Sequence, residues 1–283
     1  MALDSVQSNI LARVSFYFSA HEDDWQLFMN PQAFRDVLDD TARCVFVHVT
    51  AGDNGLGIGS GGRKHPYYLA RENGAETAIR FMADANDRRP IEPTTAAISL
   101  AGHIIRRVGY RNTAAYFLRL PDGNASGSGY PATGYQSLKR LANGDIGEMS
   151  AVDGSTRYRS WSDLIATLRA LIDLECERKL GVNLHIPEPG AADNPNDHSD
   201  HMLTAQAVCD ATPGLRALWV RHVGYASGNR PENLSGEERD MKAAVYAVTV
   251  AGVLALDHPV SWQHYDQLFA GRSYCSVEER RPS

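Results

Sequence analysis

Five segments of the chain are near-continuous runs of apolar residues, each about a strand long: RVSFYFSA (13–20), CVFVHVTAG (44–52), TAAYFLRLPDG (113–123), VNLHIPEP (182–189) and ALWVRHVGY (217–225). Runs without in–out alternation fit strands of a sheet covered on both faces. Helical spacing lies between them. YYLARENGAETAIRFMAD (67–84) carries apolar residues on one face, and SWSDLIATLRALIDLECERKL (160–180) opens on a capping serine, Ser160 or Ser162, and stops before Gly181. SDHMLTAQAVCDA (199–211) follows, and in SGEERDMKAAVYAVTVAGVLAL (235–256) Ser235 stands three residues before Glu238, the spacing of a capping box. Strands alternating with helices predict an α/β fold with a mainly parallel sheet and helices on both faces.

Two stretches break this rhythm. GDNGLGIGSGGR (52–63) is glycine-rich and follows the second strand, while residues 121–159 are rich in Gly, Ser, Asn and Tyr with weak periodicity. A loop as long as the second is expected to be functional or mobile, here an insertion at about 121–159 able to cap the site within a single domain spanning 1–283. The glycines at 55–62 form no phosphate-binding loop, because no GK[ST] ends the run.

Composition narrows the classes. With 283 residues and 43% hydrophobic content the chain can build a real core. The net charge of −6, with no run of Lys and Arg, argues against nucleic acid and for a small-molecule partner. Cys44, Cys176, Cys209 and Cys275 form no CxxC pair, so reduced thiols are expected rather than a zinc knuckle or a disulfide framework. The start, MALDSVQSNI, lacks a secretory pattern, and the longest apolar run (243–256) is too short to cross a bilayer. A cytoplasmic protein that does not enter membranes is expected, and the oligomeric state stays open.

The chemistry concentrates at two strand ends. His21, Glu22, Asp23 and Asp24 follow the first strand, and Asp197, His198, Asp200 and His201 follow the fourth. In an open parallel sheet ligands bind at the carboxyl ends of strands, so both clusters fall on one edge. Carboxylates this close repel one another unless something positive faces them. Imidazole nitrogen with carboxylate oxygen suits a zinc ion, which in catalytic sites keeps three protein ligands and an open position. His21, Asp24 and His201 can supply that set, although such donors accept other divalent metals too, iron and cobalt among them. Asp23 is then free to take a proton from water made acidic by the metal. His198, charged, can stabilise or protonate a tetrahedral intermediate, and Asp200 can hold His198 in its useful tautomer. His48, His65, His103, His185 and His222 fall within strands and helices by pattern and are expected to be structural.

The sequence AHEDD (20–24) resembles the AHPDD motif of the PIG-L/LmbE-like N-deacetylases, and HSDH (198–201) resembles their HPDH motif. The resemblance continues through HVTAGDNG (48–55), YYLARENGAE (67–76) and GYASGNRPENLS (224–235), and is interrupted over 84–160. It implies an LmbE-like, Rossmann-like fold and zinc-dependent removal of acyl groups from N-acylglucosaminyl compounds. Residue by residue it implies metal binding by His21, Asp24 and His201, a general base in Asp23, and assistance at the oxyanion or leaving amine by His198. Arg71 matches a helix arginine near the substrate. Asp53 and Asn54, after the second strand, are candidates for sugar hydroxyls, with a satisfied turn as the equal alternative. Tyr130, Tyr135 and Tyr158 in the insertion are candidates to receive a bulky aromatic aglycone, a packing loop being the alternative.

Three positions depart from the family pattern: Glu22 and Ser199 replace prolines, and Trp25 replaces a polar residue. None removes a ligand or the base, and Glu22 is expected to point away from the metal. HEDDWQLFMNP (21–31) looks like a branch of actinobacterial members, some of which free the amine of an N-acetylglucosaminyl pseudoaglycone of teicoplanin-type glycopeptide antibiotics. The competing readings are an amidase for a thiol- or inositol-linked glucosamine and a non-catalytic sugar- or antibiotic-binding protein; the retained Asp23 argues against the last.

Overall fold

Side chains of the central strands alternate between two apolar layers, and this alternation organises the molecule. The computed structural model describes residues 12–86, 89, 91–176, 181–260 and 262–280. In chain order the elements are β1 (Arg13–Ser19), α1 (Asp24–Phe28), α2 (Gln32–Leu38), β2 (Ala42–Thr50), α3 (Tyr67–Asp84), β3 (Thr94–Leu100), β4 (His103–Tyr110) and β5 (Thr113–Leu120). They continue with α4 (Leu138–Asn143), β6 (Met149–Ser150), β7 (Arg157–Tyr158), α5 (Trp161–Glu175), β8 (Gly181–Pro187), α6 (Ser199–Ala211), β9 (Ala217–His222), α7 (Gly236–Ala255), α8 (Trp262–Phe269) and β10 (Cys275–Arg280).

Eight strands form the main sheet in the order β10-β9-β8-β1-β2-β5-β4-β3. The inner strands β9, β8, β1, β2 and β5 are mutually parallel, while β10 on one edge and β4 and β3 on the other run antiparallel to their neighbours. Phe16 and Phe18 of β1 face one layer together with Val45, Val47, Leu168, Leu171 and Val208. Tyr17 faces the other with Phe46, Trp25, Ile79, Met82 and Val245. Helices α4, α5 and α6 therefore cover one face, and α1, α2, α3 and α7 the other. This is the expected α/β arrangement, a large and mostly parallel sheet flanked by helices.

The helices start where the sequence places caps. Ser160 accepts the backbone N–H of Asp163, and Ser235 and Glu238 form the reciprocal capping box of α7. Helix α5 stops earlier than expected, with Cys176 as its C-cap; residues 177–180 lie outside the described residues.

The stretch between 84 and 160 holds more structure than its sequence suggests. The β3–β4 hairpin extends the sheet, and 121–159 contains α4 and the small β6–β7 ladder. Tyr158 does not line a cap. It is fully buried in the core, its ring stacked on His103 at 4.2 Å between centroids. Among the described residues no helix is long and apolar enough to cross a membrane.

Candidate metal centre

Strand order places the site. Chain direction out of β1 leads to β2 on one side, and β8 lies against β1 on the other, paired from Arg13↔Gly181 to Tyr17↔His185. The carboxyl ends of β1 and β8 thus open side by side where the sheet changes winding direction, the usual position for a ligand in such a sheet. The carbonyl of Ala20 accepts both the N–H and the hydroxyl of Thr50 at 2.8 Å, which anchors the end of β1 before His21 turns out of the sheet.

His21, Asp24 and His201 meet in this notch with one ligand atom from each within 4.8 Å of the others, and all three are buried. Asp24 Oδ2 accepts the backbone N–H of His21 at 2.7 Å, while Oδ1 lies 3.1 Å from His201 Nε2 and 3.4 Å from His21 Nδ1. The other nitrogen of His201, Nδ1, is 3.0 Å from both carboxylate oxygens of Asp197, one helical turn away. A carboxylate on the far nitrogen of an imidazole is the usual outer partner of a metal-binding histidine. Asp197 was visible in the sequence without a role; its position supplies one.

A second group, His21, Asp122, His198 and Asp200, overlaps the first through His21. His21 Nε2 is 3.6 Å from Asp200 Oδ2, which also accepts the backbone N–H of Gly123 at 2.8 Å. Gly123 has to be glycine here: a Cβ would sit 2.6 Å from Asp200 Oδ1. Asp122 escaped sequence reasoning. It follows β5, about a hundred residues from His21, and only the order β1-β2-β5 brings it in.

His198 departs from expectation. Its Nδ1 accepts the backbone N–H of Asp200 at 3.2 Å, and the Asp200 carboxylate lies 3.8 Å away, so the backbone and not the carboxylate sets its orientation. With Nδ1 an acceptor, the neutral ring carries its proton on Nε2, which faces Asp122 Oδ1 at 3.9 Å. Burial, aided by the charge of His21, pushes the His198 pKa down to about 4, so the ring is neutral near pH 7 rather than charged.

Charge shows what the pocket wants. The ion-pair partners of Asp24, Asp122, Asp197 and Asp200 include histidines at every one of these carboxylates. Burial disfavours a charged His201, yet Asp24 and Asp197 overcome it and raise its pKa to about 10. His21 is raised well above its ordinary value in the same way, burial being outweighed by Asp24, Asp200 and Asp122. Asp24 is held well below the carboxylate range despite its burial, by His201 and His21. His21 Nε2 and Asp200 Oδ1 are also buried with no hydrogen-bond partner among the described residues. Buried carboxylates that draw protons onto two imidazoles, beside orphaned nitrogen and oxygen donors, fit a divalent cation, whose binding releases those protons. This buried His/Asp group could hold a metal ion.

The remaining expected residues lie close by with different engagements. Asp23 is bound by Arg71, whose Nε also meets Glu22 Oε2 at 3.1 Å and whose Nη1 donates to the carbonyl of Gly52 at 3.1 Å. Arg71 thus fastens two carboxylates and a loop. Glu22 is in neither donor group and is buried against Arg71; burial raises its pKa to about 8 against the pull of that guanidinium. Gly52 has φ +46°, and a Cβ there would lie 2.7 Å from Glu22 Oε2 and 2.8 Å from Arg71 Cζ. Both oxygens of Asp53 accept backbone N–H groups, from Asp122 at 2.8 Å and Gly57 at 2.7 Å, so Asp53 ties the loops after β2 and β5 together. Asn54 accepts the hydroxyl of Tyr130 at 3.1 Å, a second contact between the 121–159 segment and the glycine-rich loop.

The aromatic flank of the site comes from elsewhere than expected. Tyr225 lies 5.3 Å from the His201 ring and packs on Phe28, and Tyr246 and Tyr265 follow behind Asp23, from α7 and α8. Their side chains converge from distant segments; Tyr225 lies in the GYASGNRPENLS stretch, while no local pattern marks Tyr246 and Tyr265. A comparison of the chain with protein-family models finds none that matches, and a comparison with curated proteins finds no match either.

Proposed function

We propose that the chain is a metal-dependent N-deacylase of the PIG-L/LmbE-like kind, freeing the amine of an N-acetyl- or N-acyl-glucosaminyl group on a glycopeptide-antibiotic pseudoaglycone in the cytoplasm. The observation that carries this reading is the meeting of His21, Asp24 and His201 at the carboxyl ends of β1 and β8, with Asp23 and His198 beside them. On this reading the sheet is the LmbE-like scaffold, and zinc is the preferred ion for two imidazoles and one carboxylate.

His21, Asp24 and His201 would hold the ion, with Asp197 fixing the His201 tautomer. When bound, it supplies Lewis acidity, polarising the acyl carbonyl and making water more acidic. Asp23 takes the proton of the attacking water and returns it to the departing amine. Arg71 holds the Asp23 carboxylate in place. His198, neutral with its proton on Nε2, donates a hydrogen bond to the developing oxyanion. Asn54 and the Tyr130 hydroxyl present polar groups for the sugar.

The test is deacylation followed by mass spectrometry, on N-acylglucosaminyl pseudoaglycones, thiol- and inositol-linked N-acetylglucosamines and simple glycosides. Loss of the acyl mass from the pseudoaglycones is expected, abolished by chelator and reduced ~10²–10⁴-fold in Asp23→Ala, the range for loss of a general base. Reaction confined to thiol- or inositol-linked sugars would replace the substrate. Inertness of the zinc-loaded protein on every compound would overturn the reading.

A further inference from the structure

Behind the metal centre, in the loop between β8 and α6, stands Asn194, which no step above uses. We propose that Asn194 is a positioning residue for the centre: it fixes Asp197 as a hydrogen-bond acceptor and, through Asp197, fixes His201 as an Nε2 ligand. The proposal rests on the reading of His21, Asp24 and His201 as the donors of an ion.

The whole Asn194 amide is engaged inside the fold. The residue is 2% exposed. Its Nδ2 donates to the carbonyl of Glu188 at 3.1 Å and to Asp197 Oδ2 at 2.5 Å, and its Oδ1 accepts the backbone N–H of Gly224 at 3.2 Å. Only one amide orientation satisfies these partners, because a carbonyl and a carboxylate need a donor and a backbone N–H needs an acceptor. One side chain thus joins the end of β8, the entry to α6 and the turn after β9.

Each of these bonds limits the next. Donation from Nδ2 leaves Asp197 Oδ2 an acceptor. The backbone N–H of Tyr225 reaches Asp197 Oδ1 at 3.4 Å, and His201 Nδ1 lies 3.0 Å from both oxygens. A carboxylate loaded with donors in this way calls for the His201 proton on Nδ1. The lone pair of the neutral ring is then on Nε2, the nitrogen 3.1 Å from Asp24 Oδ1. Gly224 makes the cradle possible. A Cβ there would sit 2.6 Å from Asp197 Oδ2 and 2.9 Å from Oδ1, so only glycine lets two successive backbone N–H groups close on Asn194 and Asp197. An amide that merely tied loops together would be served by Glu188 and Gly224; the short bond to Asp197 is the one directed at the ion.

The experiment uses the full chain in wild type, Asn194→Asp, Asn194→Ala, Asp197→Asn and the Asn194→Ala/Asp197→Asn double variant. Zinc affinity is read by competition with a chelator, and the His201 ring by nitrogen NMR of the imidazoles. Asn194→Asp keeps the shape and sets a carboxylate against Asp197, while Asn194→Ala removes the donor, so either can stand in if the other fails to fold. Both are expected to lower zinc affinity about tenfold, the low end for outer partners of a metal site. In zinc-loaded wild type the His201 proton should appear on Nδ1, and Asn194→Asp should weaken or abolish that Nδ1–H signal. In the Asp197→Asn background Asn194→Ala should cost less than about twofold more, because the residue acts through Asp197. Equal losses in both backgrounds, or an unchanged affinity and Nδ1–H signal, would overturn the proposal and leave Asn194 a loop tie. A wild type that takes up no zinc would defeat the metal centre instead, and the Nδ1–H signal of the ion-free ring then decides the role of Asn194. Its loss in Asn194→Asp supports the positioning role, and an unchanged signal removes it.

Discussion

His201 and His185 are both buried imidazoles from the same stretch of chain, and they behave in opposite ways. His201 is pulled up to about 10, while burial, helped by Arg13, pushes His185 down to about 3. Each has a carboxylate within reach: Asp24 at 3.1 Å for His201, Asp36 at 3.8 Å for His185. What differs is whether the carboxylate is already matched. Asp36 is bound by Arg13 at 2.9 Å and by the Tyr17 hydroxyl at 2.8 Å, so its charge is used within the fold. Asp24 has imidazoles for partners on its ring-facing oxygen, and Asp197 stands behind His201 as well. His185 is completed by His222 at 3.0 Å and is structural. A buried histidine is therefore a candidate metal ligand when its carboxylate neighbours lack a permanent cation, not by virtue of burial.

The most severe way to break this contrast is Asp24→Asn. Removing the charge that joins both imidazoles should abolish metal uptake and bring deacylation to background, with metal content read by elemental analysis of the purified protein. Retained stoichiometric metal would place the ion in the Asp122–His198–Asp200 group instead. A milder change is Asp197→Asn, which leaves the donors and removes the outer partner of His201. Metal affinity should fall ~10–100-fold, measured by competition with a chromophoric chelator; an unchanged affinity would show that Asp197 only packs.

The smallest effect sharpens the comparison through pH. His201 has a folded pKa near 10 against an ordinary 6.5, so in chelator-treated protein its stabilisation is complete below pH 6.5 and fades as pH rises toward 10. His185, near 3 in the fold against 6.5, works the other way. Its contribution is complete above pH 6.5 and is lost as pH falls toward 3. Melting temperature against pH should decline on both sides in chelator, and zinc should flatten the alkaline side alone. An alkaline decline that zinc leaves untouched would remove His201 from the ion.

How far the sequence revealed this depended on whether a signal was local. β1, β2 and β5 were legible because each is buried almost throughout on both faces and so reads as a near-unbroken apolar run, and β8 and β9, although partly exposed, kept enough apolar residues to read the same way. Helices α3 and α6 were legible to the residue, and Ser235 with Glu238 announced α7. The β3 strand was not, because nearly all of Thr94–Leu100 is exposed or half-buried and carries no hydrophobic pattern; β10, largely exposed on the opposite edge, hid for the same reason. At the site, His21, Asp24 and His201 stood in compact motifs. Asp122, Tyr246 and Tyr265 did not, since their nearness to the centre is decided by strand order and helix packing across the whole chain; Tyr225 stood in the GYASGNRPENLS segment but without a role. Asp53 shows the converse: its place after β2 was correctly read as the active edge, but its oxygens are taken by two backbone amides.

The donors of the centre are split between distant parts of the polypeptide, with Asp24 and His201 separated by 177 positions. One half is in place once β1 and α1 form; the other arrives only when β8 docks along β1. An ion held by this group would therefore be a chemical report that two distant segments of the chain have docked side by side.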